Sequence, residues 1–371
     1  MSRLGLSVVA CIVFTFTLAA PAFHSGSGPN TRVGSVTRVG SMLEPRSGHT
    51  ATLLPNGKVL IAGGMRRNQD FYKSAELYDP ATGKFQATGE MKDRRVSPVA
   101  VLLGSGRVLI AGGWIGHGCT DSAEIYDPAT GKFSYIASKM TSVRGDARGT
   151  LLSDGDVLIT GGGDHDSTGG IASAELFHPA TMSFVRVGPM NFARVAHTAT
   201  LLRDGRVLIA GGRGEGVDAV AEIYDPKSRR FTDTGSLITA RYKHTAGLLP
   251  DGRVLLAGGS DERDWSGNLD SAEIYDPASG KFSPASPLNE KRFKLPEGAV
   301  QLPSGRLLIA GGSKEVEVFD PASGNFLVAS GLISDVWHFM TETKLKDGSV
   351  LLAGGYPNND RATAEAWIYR P

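Results

Sequence analysis

The chain has 371 residues, of which 41% are hydrophobic and 21% are charged, with a formal net charge of +1. This balance gives no reason to expect nucleic acid or an anionic membrane surface as the partner, because both attract strongly basic proteins. The 48 glycines follow no collagen period and indicate a globular protein with many tight turns.

The first 22 residues have the three parts of a secretory signal peptide. Arg3 forms a short basic region, an apolar run extends from residue 4 to residue 20, and the small residues of the motif APA end at Ala22. We predict cleavage near Ala22 and a mature protein that is secreted or periplasmic, with no stable membrane insertion. Loss of Arg3 reduces the 39 basic residues to 38, equal to the 38 acidic residues.

Two alternatives to a cleaved leader stay open. The apolar run is close to the minimum length of a membrane-spanning helix, which is consistent with an uncleaved anchor. The sequence VVAC, which ends at Cys11, loosely matches a lipoprotein box, although apolar residues continue past the cysteine. After cleavage Cys119 is the only cysteine, so no disulfide can form within the chain, and we predict that its thiol is buried.

Seven closely similar motifs, from KVLIAGG to SVLLAGG, recur along the rest of the chain. Successive motifs are 43 to 53 residues apart, and a nearly fixed period of this size indicates one structural unit used seven times. The first apolar residues of the seven motifs are Val59, Val108, Val157, Val207, Val254, Leu307 and Val350.

Each unit is predicted to contain four short strands. The first, HTATLL in the first unit, leads into an Asn-Gly, Asp-Gly or Ser-Gly turn; Asn-Gly and Asp-Gly, the stronger hairpin signals, tolerate positive φ. The second, VLIA, is continuously apolar and is expected to be buried on both faces before it ends at Gly-Gly. A variable loop, the third strand AEIY, the turn DPATGKF and a fourth strand complete the unit. No segment long enough for a domain helix shows a 3.6-residue apolar period.

Strands in groups of four at a fixed period, with Gly-Gly closing the second, resemble the kelch repeat. The resemblance covers nearly all of the chain after the leader and implies an all-β fold in one domain over residues 23–371. That fold is a seven-bladed kelch-type β-propeller with four antiparallel strands per blade. The family usually has Trp after the third strand, where this sequence has Phe, and we predict that the Phe rings pack between neighbouring blades. These are Phe85, Phe133, Phe184, Phe231, Phe282 and Phe326.

The seventh repeat stops after its third strand, in the sequence AEAWIYRP. Its fourth strand must therefore come from elsewhere, and VTRVGSM, which ends at Met42, matches the ends of the other fourth strands. We predict that residues 31–42 close the ring as the outer strand of the last blade, because an open propeller would expose strand edges.

An arginine recurs four residues after the last Met or Leu of each outer strand. These arginines are Arg46, Arg95, Arg144, Arg194, Arg241 and Arg292. They are candidate ligand-binding residues, since guanidinium groups suit carboxylates and phosphates. A glutamate recurs in the third strand of the same six repeats, and repeat seven has Val336 and Trp367 at the two positions. Because both partners vanish together, we favour internal Arg–Glu pairing, which would satisfy buried charge.

The variable loops supply the other candidate ligand-binding residues. Trp114 and His117 lie in the loop of repeat two, His165 in that of repeat three, and Trp265, flanked by carboxylates, in that of repeat five. Trp265 is a candidate platform for stacking a sugar. The spacing of His, Cys and Asp in these loops matches no recognised metal site, so we predict no metal and no cofactor. The first-strand histidines at 49, 197 and 244 are predicted to make local hydrogen bonds.

These observations favour an exported, non-enzymatic protein that binds a glycan, peptide or protein through the face that carries the variable loops. No grouping of nucleophile, base and orienting residue can be read from the sequence. Copper-radical oxidases of the galactose oxidase type are similar, but they need a Tyr–Cys crosslink, further Tyr and His ligands and a further domain. Periplasmic sialic acid mutarotases are similar in size and secretion, and their acid–base chemistry would need a channel carboxylate and an arginine. The mutarotase type is the alternative function, and a pure protein–protein scaffold is a third possibility.

Overall fold

A computed structural model describes residues 33–164, 169–296, 298–357 and 361–371. In these residues each predicted repeat forms one four-stranded antiparallel sheet, and there are seven such sheets. The inner strand of each sheet contacts the inner strands of both neighbours, and that of the seventh contacts that of the first, so the sheets close into a ring. The prediction of a seven-bladed propeller is confirmed.

The strands of each blade are given from the inside outwards. Blade 1 has Thr50–Leu53, Val59–Ala62, Ala75–Asp79 and Lys84–Ala87. Blade 2 has Val99–Leu102, Val108–Ala111, Ala123–Asp127 and Lys132–Tyr135. Blade 3 has Arg148–Leu151, Val157–Thr160, Ala174–His178 and Ser183–Arg186. Blade 4 has Thr198–Leu201, Val207–Ala210, Ala221–Asp225 and Arg230–Asp233. Blade 5 has Thr245–Leu248, Val254–Ala257, Ala272–Asp276 and Lys281–Ala285. Blade 6 has Val300–Gln301, Leu307–Ile309, Glu317–Asp320 and Asn325–Val328. Blade 7 has Thr341–Lys344, Val350–Ala353, Ala366–Arg370 and Ser35–Arg38.

Two further elements lie in the variable loops. A short hairpin of Met65–Arg67 and Asp70–Phe71 extends from blade 1. A 3-10 helix, Asp264–Ser266, lies in the loop of blade 5. Within the described ranges no helix has the length and apolar character needed to cross a membrane.

The outer strand of blade 7 comes from the other end of the chain. Ser35–Arg38 pairs antiparallel with Ala366–Arg370, and the register places Arg38 opposite Trp367. The clasp continues past the strand, because Met42 N donates to Ala364 O at 2.8 Å and the Met42 side chain is buried. The predicted closure of the ring is confirmed, with the regular strand at 35–38 within the predicted segment.

The hydrophobic core is divided among the seven interfaces between blades. The residues of the VLIA strands are buried on both faces, as the continuous apolar pattern predicts. The interface between blades 7 and 1 is typical: Phe85 packs 4.8 Å from Tyr78 in its own blade and joins a cluster with Leu351 and Ile368 of blade 7. The Phe rings therefore pack between blades as predicted, and burial of such large side chains stabilises each interface.

The Gly-Gly dipeptide that ends the second strand is required by the close approach of the next blade. Gly63 has φ 68°, and a Cβ on it would lie 2.5 Å from the carbonyl oxygen of Arg95. Gly64 has φ 89° and donates its N–H to that same oxygen at 2.8 Å. Only glycine fits this contact without strain, which explains why the dipeptide recurs.

Blade 6 departs from the common pattern at its inner edge. Its inner strand has two residues, where the other inner strands have four. The segment before it turns away from its own blade, since Gly298 bridges in parallel to Ala246 of blade 5 and Ala299 N donates to Ala246 O at 2.9 Å. Ala310, which directly follows the second strand, therefore lacks the inner-strand partner that the corresponding residue has in the other blades.

Candidate functional site

The six recurrent arginines are buried and each pairs with the glutamate of its own blade. The shortest N–O distances are 2.6 to 3.1 Å. The pairs are Arg46–Glu76, Arg95–Glu124, Arg144–Glu175, Arg194–Glu222, Arg241–Glu273 and Arg292–Glu317. The pairing favoured from the sequence is confirmed.

The pair in blade 5 illustrates what these residues do. Arg241 Nη1 donates to Gly258 O at 2.7 Å and to Ser271 O at 2.9 Å, while Nη2 donates to Glu273. Glu273 also accepts from the backbone N–H of Ile238 at 2.7 Å. The pair thus connects the segment between blades 4 and 5 to the second and third strands of blade 5. Burial lowers the pKa of the Arg241 guanidinium.

These contacts place the six arginines in the interior of the blades. Their side chains are 0 or 1% exposed. Their hydrogen bonds go to carboxylates, carbonyls and, in four blades, a serine hydroxyl of the same blade. A ligand in solvent cannot reach a guanidinium that is covered in this way. We therefore place no ligand on the arginines named as candidates from the sequence, because their charge is used to satisfy buried carboxylates.

Blade 7 replaces the pair in a way that the sequence spacing did not predict. Ile333, which is 1% exposed, takes the place of the last Met of the other outer strands, whereas Leu332 is 62% exposed. The position four residues later is therefore Trp337, and the assignment to Val336 was wrong by one residue. Trp337 O accepts from Gly312 N at 2.9 Å, as the arginine carbonyls do in other blades.

Two tryptophans thus stand where other blades have Arg and Glu. The rings of Trp337 and Trp367 are buried with their centroids 6.4 Å apart and join the core between blades 6 and 7. Trp367 occupies the glutamate position of the third strand, as predicted. The substitution exchanges a buried ion pair for an apolar contact.

A ring of left-handed residues surrounds the mouth of the central channel. In each blade the residue two positions after the arginine or Trp337 has a φ between 47° and 58°. These residues are Gly48, Ser97, Asp146, Ala196, Lys243, Lys294 and Phe339. Several are joined by backbone hydrogen bonds across blades, such as Ser97 N to Gly48 O at 2.7 Å and Phe339 N to Lys294 O at 2.9 Å. Six of the seven residues are not glycine, so this backbone conformation is strained at those positions. The contacts between blades must stabilise it.

A groove of about 550 Å³ opens at this mouth on the loop face. It brings together two predicted residues, the half-buried Trp114 and the exposed His117. The blade 1 hairpin forms part of its wall, with Phe71 among its residues. Asn68 and Gln69, also in the wall, were not predicted because nothing in their loop distinguishes them in sequence.

The remaining loop candidates lie elsewhere. Trp265 is 44% exposed and does not line the groove. Its ring is contacted by Lys294, whose Nζ is 3.6 Å from the centroid, and by the edges of Phe293 and His338 at 5.1 and 5.0 Å. Stacking of a sugar on Trp265 stays a prediction. His165 lies outside the described residues.

The first-strand histidines do make hydrogen bonds, but these run between blades and are not local as predicted. Their Nε2 atoms lie 2.9 to 3.0 Å from a threonine hydroxyl of the preceding blade. The three pairs are His49–Thr341, His197–Thr160 and His244–Thr198. Burial, followed by the nearby Arg46, lowers the pKa of His49 to about 3. These imidazoles are therefore neutral at physiological pH.

A second cavity, of about 210 Å³ and named the channel cavity, adjoins the groove and is lined by inner strands of several blades and by the segments that precede them. Its wall shares Gly48, Ser97, Asp146 and Phe339 with the groove. Glu342 of blade 7 lines it, and burial raises the pKa of this carboxyl to about 8. Arg148 of blade 3 also lines it and donates from Nε to His197 O at 2.6 Å. Neither residue was predicted from the sequence, because the residue at its position in the inner strand differs from repeat to repeat.

Comparison with known proteins places this fold among kelch propellers. The Kelch motif model matches residues 95–140 and 241–289, which span blades 2 and 5. No curated protein matches the chain. A solved structure of a fungal alcohol oxidase of the AA5 family, in complex with copper, is similar with a TM-score of 0.74 and 17% identity. The match covers 92% of this chain and 77% of that one. At this identity the similarity concerns the fold.

The described residues do not fit a copper-radical centre. Cys119 is buried, and burial raises the pKa of its thiol to about 12. The groove wall contains no tyrosine and no cysteine among its described residues. The buried histidines at 49, 197 and 244 are engaged with threonine. Nowhere in the described ranges do three His, Cys, Asp or Glu side chains form a group that could hold a metal ion.

Proposed function

We propose that this chain is an exported binding protein that recognises a glycan, peptide or protein through the loop face, and that the groove at the channel mouth receives a glycan. The kelch propeller supports a binding or interaction role in general. The observation that carries the proposal is the groove itself, which is concave and lies among the variable loops, where ligand sites are usual.

The chemistry of the groove favours a glycan over a charged peptide. Trp114, Phe71 and Phe339 offer apolar ring surface, on which the C–H face of a sugar can pack. Asn68 and Gln69 are exposed amides that can both donate to and accept from hydroxyl groups. Polar groups of both kinds around aromatic rings suit a neutral, hydroxyl-rich ligand.

Export is proposed from the leader alone. Residues 1–22 have the composition of a cleaved signal peptide, and a glycan ligand outside the cytoplasm is consistent with it. N-terminal sequencing of the protein recovered from the periplasm or medium would find a start near Phe23. A retained leader in the membrane fraction would contradict cleavage.

A glycan array tests the groove directly. Wild-type protein should bind a defined set of glycans, and Trp114→Ala should reduce that affinity by about 1 to 3 kcal/mol, the contribution of one buried aromatic contact. Tyr135→Ala is the matched control, because it removes an exposed aromatic ring from the outer strand of the same blade but outside the groove. Equal losses in both variants, or binding unaffected by Trp114→Ala, would reject the groove as the site.

A carbohydrate-active enzyme of the sialic acid mutarotase type is the second candidate. One observation favours it: the channel cavity is lined by both a carboxyl, Glu342 of blade 7, and a guanidinium, Arg148 of blade 3. Acid–base chemistry at a sugar ring needs a positioned proton donor and acceptor of this kind. NMR exchange measurements on sialic acid anomers would detect the activity, and a rate equal to the uncatalysed one would exclude it.

A further inference from the structure

A separate pocket on the loop face, between blades 1 and 7, is lined mainly by arginines. It has a volume of about 330 Å³. Its walls, which define what we call the arginine pocket, are Pro45, Ala362 and three exposed arginines, Arg66, Arg67 and Arg361. A backbone hydrogen bond joins the two blades here, because Ala362 N donates to Arg66 O at 2.8 Å. Three positive charges from distant parts of the sequence thus line one concave surface.

The charge of the arginine pocket is not balanced by the carboxylates described around it. Neither Arg66 nor Arg67 forms an ion pair or a side-chain hydrogen bond with a described residue. Asp70 lies opposite Arg67 in the hairpin and contributes one negative charge. The neighbouring Glu44 is held by Arg46 at 2.9 Å. The pocket is therefore positive, although the chain as a whole has a net charge of only +1.

The blade 1 hairpin borders both the arginine pocket and the glycan groove. Met65 lines the groove and Arg66, the next residue, lines the pocket, because successive side chains of a strand point to opposite faces. Asn68 and Gln69 at the turn also line the groove. A chain of sugars that leaves the groove across this hairpin would therefore bring its next units to the arginines.

The distribution of charge decides where an acidic group of such a ligand would lie. Asp146 lines the groove, and its carboxylate would repel an anion there. Guanidinium groups, in contrast, can donate two parallel hydrogen bonds to the oxygens of a carboxylate or a sulfate. A nucleic acid is disfavoured as the ligand, because it needs an extended basic surface and this positive charge is confined to one pocket.

We propose that the arginine pocket is the anion-binding part of the glycan site, and that the ligand is an acidic glycan whose carboxylate or sulfate group contacts Arg66 and Arg67. This inference rests on the proposed function, since the groove would hold the neutral sugars next to the acidic group. It restricts the class of ligand, because an uncharged glycan would leave these guanidinium groups to water. The arginines are exposed, so salt should weaken this part of the binding.

Oligosaccharides with and without the charge test the proposal. We would measure their affinity for the full-length protein by isothermal titration calorimetry. The first pair is tetragalacturonate and its methyl ester, and the second is a carrageenan tetrasaccharide and its desulfated form, so that carboxylate and sulfate are distinguished. At least one acidic form should bind about tenfold more tightly than its neutral partner at low salt, the effect of one hydrogen bond to a charged group. Equal binding within both pairs, or no binding of either acidic form, overturns the proposal.

Variants assign the preference to the pocket. The double variant Arg66→Gln with Arg67→Gln should bring the affinity for the acidic form down to that for the neutral form. Lys92→Gln with Arg94→Gln is the matched control, because it removes two exposed positive charges that line neither the groove nor the pocket. A control that loses the preference to the same extent refutes the assignment. Trp114→Ala should weaken both forms equally; if it weakens neither while the preference persists, the groove is rejected and the arginine pocket is retained.

Discussion

Blades 1 to 5 and blades 6 and 7 use the same repeat in different ways. The first five combine complete inner strands with a buried Arg–Glu pair in each. Blade 6 keeps the pair but loses half of its inner strand, and blade 7 replaces the pair with Trp337 and Trp367. Complete inner strands and a buried ion pair are therefore the common features of the repeat. Where they are lost, in blades 6 and 7, a titratable residue, Glu342, lines a cavity.

The largest effect should come from removing the clasp of blade 7. Deletion of residues 31–42 takes away the outer strand that pairs with Ala366–Arg370 and uncovers the core around Trp367 and Tyr369. We expect a protein that aggregates or melts well below wild type, because an open ring exposes a strand edge and an apolar face. Thermal unfolding followed by circular dichroism checks this, and an unchanged Tm would refute closure by this strand.

Breaking one Arg–Glu pair should cost the regular blades about 3 to 5 kcal/mol. Glu175→Leu leaves Arg144 charged and buried without its partner. The double variant Arg144→Leu with Glu175→Leu should recover part of that loss, because blade 7 already shows that an apolar contact serves at this position. Urea unfolding of both variants measures the difference.

The control for this pair is an exposed one. Glu90→Leu breaks the pair with Lys73, in which both side chains are more than half exposed, and should change stability by about 1 kcal/mol or less. If the double variant is as unstable as Glu175→Leu, the comparison with blade 7 does not hold.

Blade 7 should be the region whose stability falls as pH rises. The folded-state pKa of Glu342 is raised from 4.5 to about 8, so its favourable contribution is complete below pH 4.5 and is lost as pH rises through 8. Glu342→Gln should therefore stabilise the protein by roughly 2 to 3 kcal/mol at pH 7 and by much less at pH 4.5. Denaturant unfolding at the two pH values measures this, and an equal effect at both would exclude a raised pKa.

The smallest effect on folding stability is expected from the histidines of the regular blades. Their contribution decreases as pH falls, whereas that of Glu342 decreases as pH rises. His49 has its folded-state pKa lowered from 6.5 to about 3, so stability present above pH 6.5 is lost as pH falls toward 3. Between pH 7 and pH 5.5 the loss should be about 1 kcal/mol for this histidine. His49→Gln should flatten the stability profile in that range, and a profile as steep as wild type would assign the acid sensitivity elsewhere.

Much of the fold could be predicted because each repeat carries its own local signals. The Asx-Gly turns, the apolar VLIA run and the Gly-Gly dipeptide recur at a nearly constant period, and this period is typical of one propeller blade. The Arg–Glu pairs were also predictable, since the two residue types disappear together from repeat seven. The residue that replaces the arginine in repeat seven was predicted one position too early, at Val336 and not at Trp337. The reason is that only burial distinguishes Ile333 from its neighbour Leu332 as the end of the outer strand.

The candidate site was predicted less well, since it depends on which loops meet. Trp114 and His117 were named from their loop, but Phe71 and Phe339 join them only because blades 1, 2 and 7 adjoin at the mouth. No residue type identifies the left-handed ring, which includes Asp, Ser, Ala, Lys and Phe. Backbone conformation at these positions is imposed by the neighbours and not by the side chain.

The sequence by itself determined the seven-bladed ring, its closure and the buried pairing of charges, because these follow from local turn chemistry, strand pattern and residue pairs that recur together. Only the tertiary structure decided the character of Glu342. Burial raises its pKa beside the displaced inner strand of blade 6, where Ala310 N donates to one oxygen and the other oxygen is buried with no partner among the described residues. Such an environment is made by residues far apart in the chain, and the pKa of a carboxyl depends on that environment more than on its own repeat.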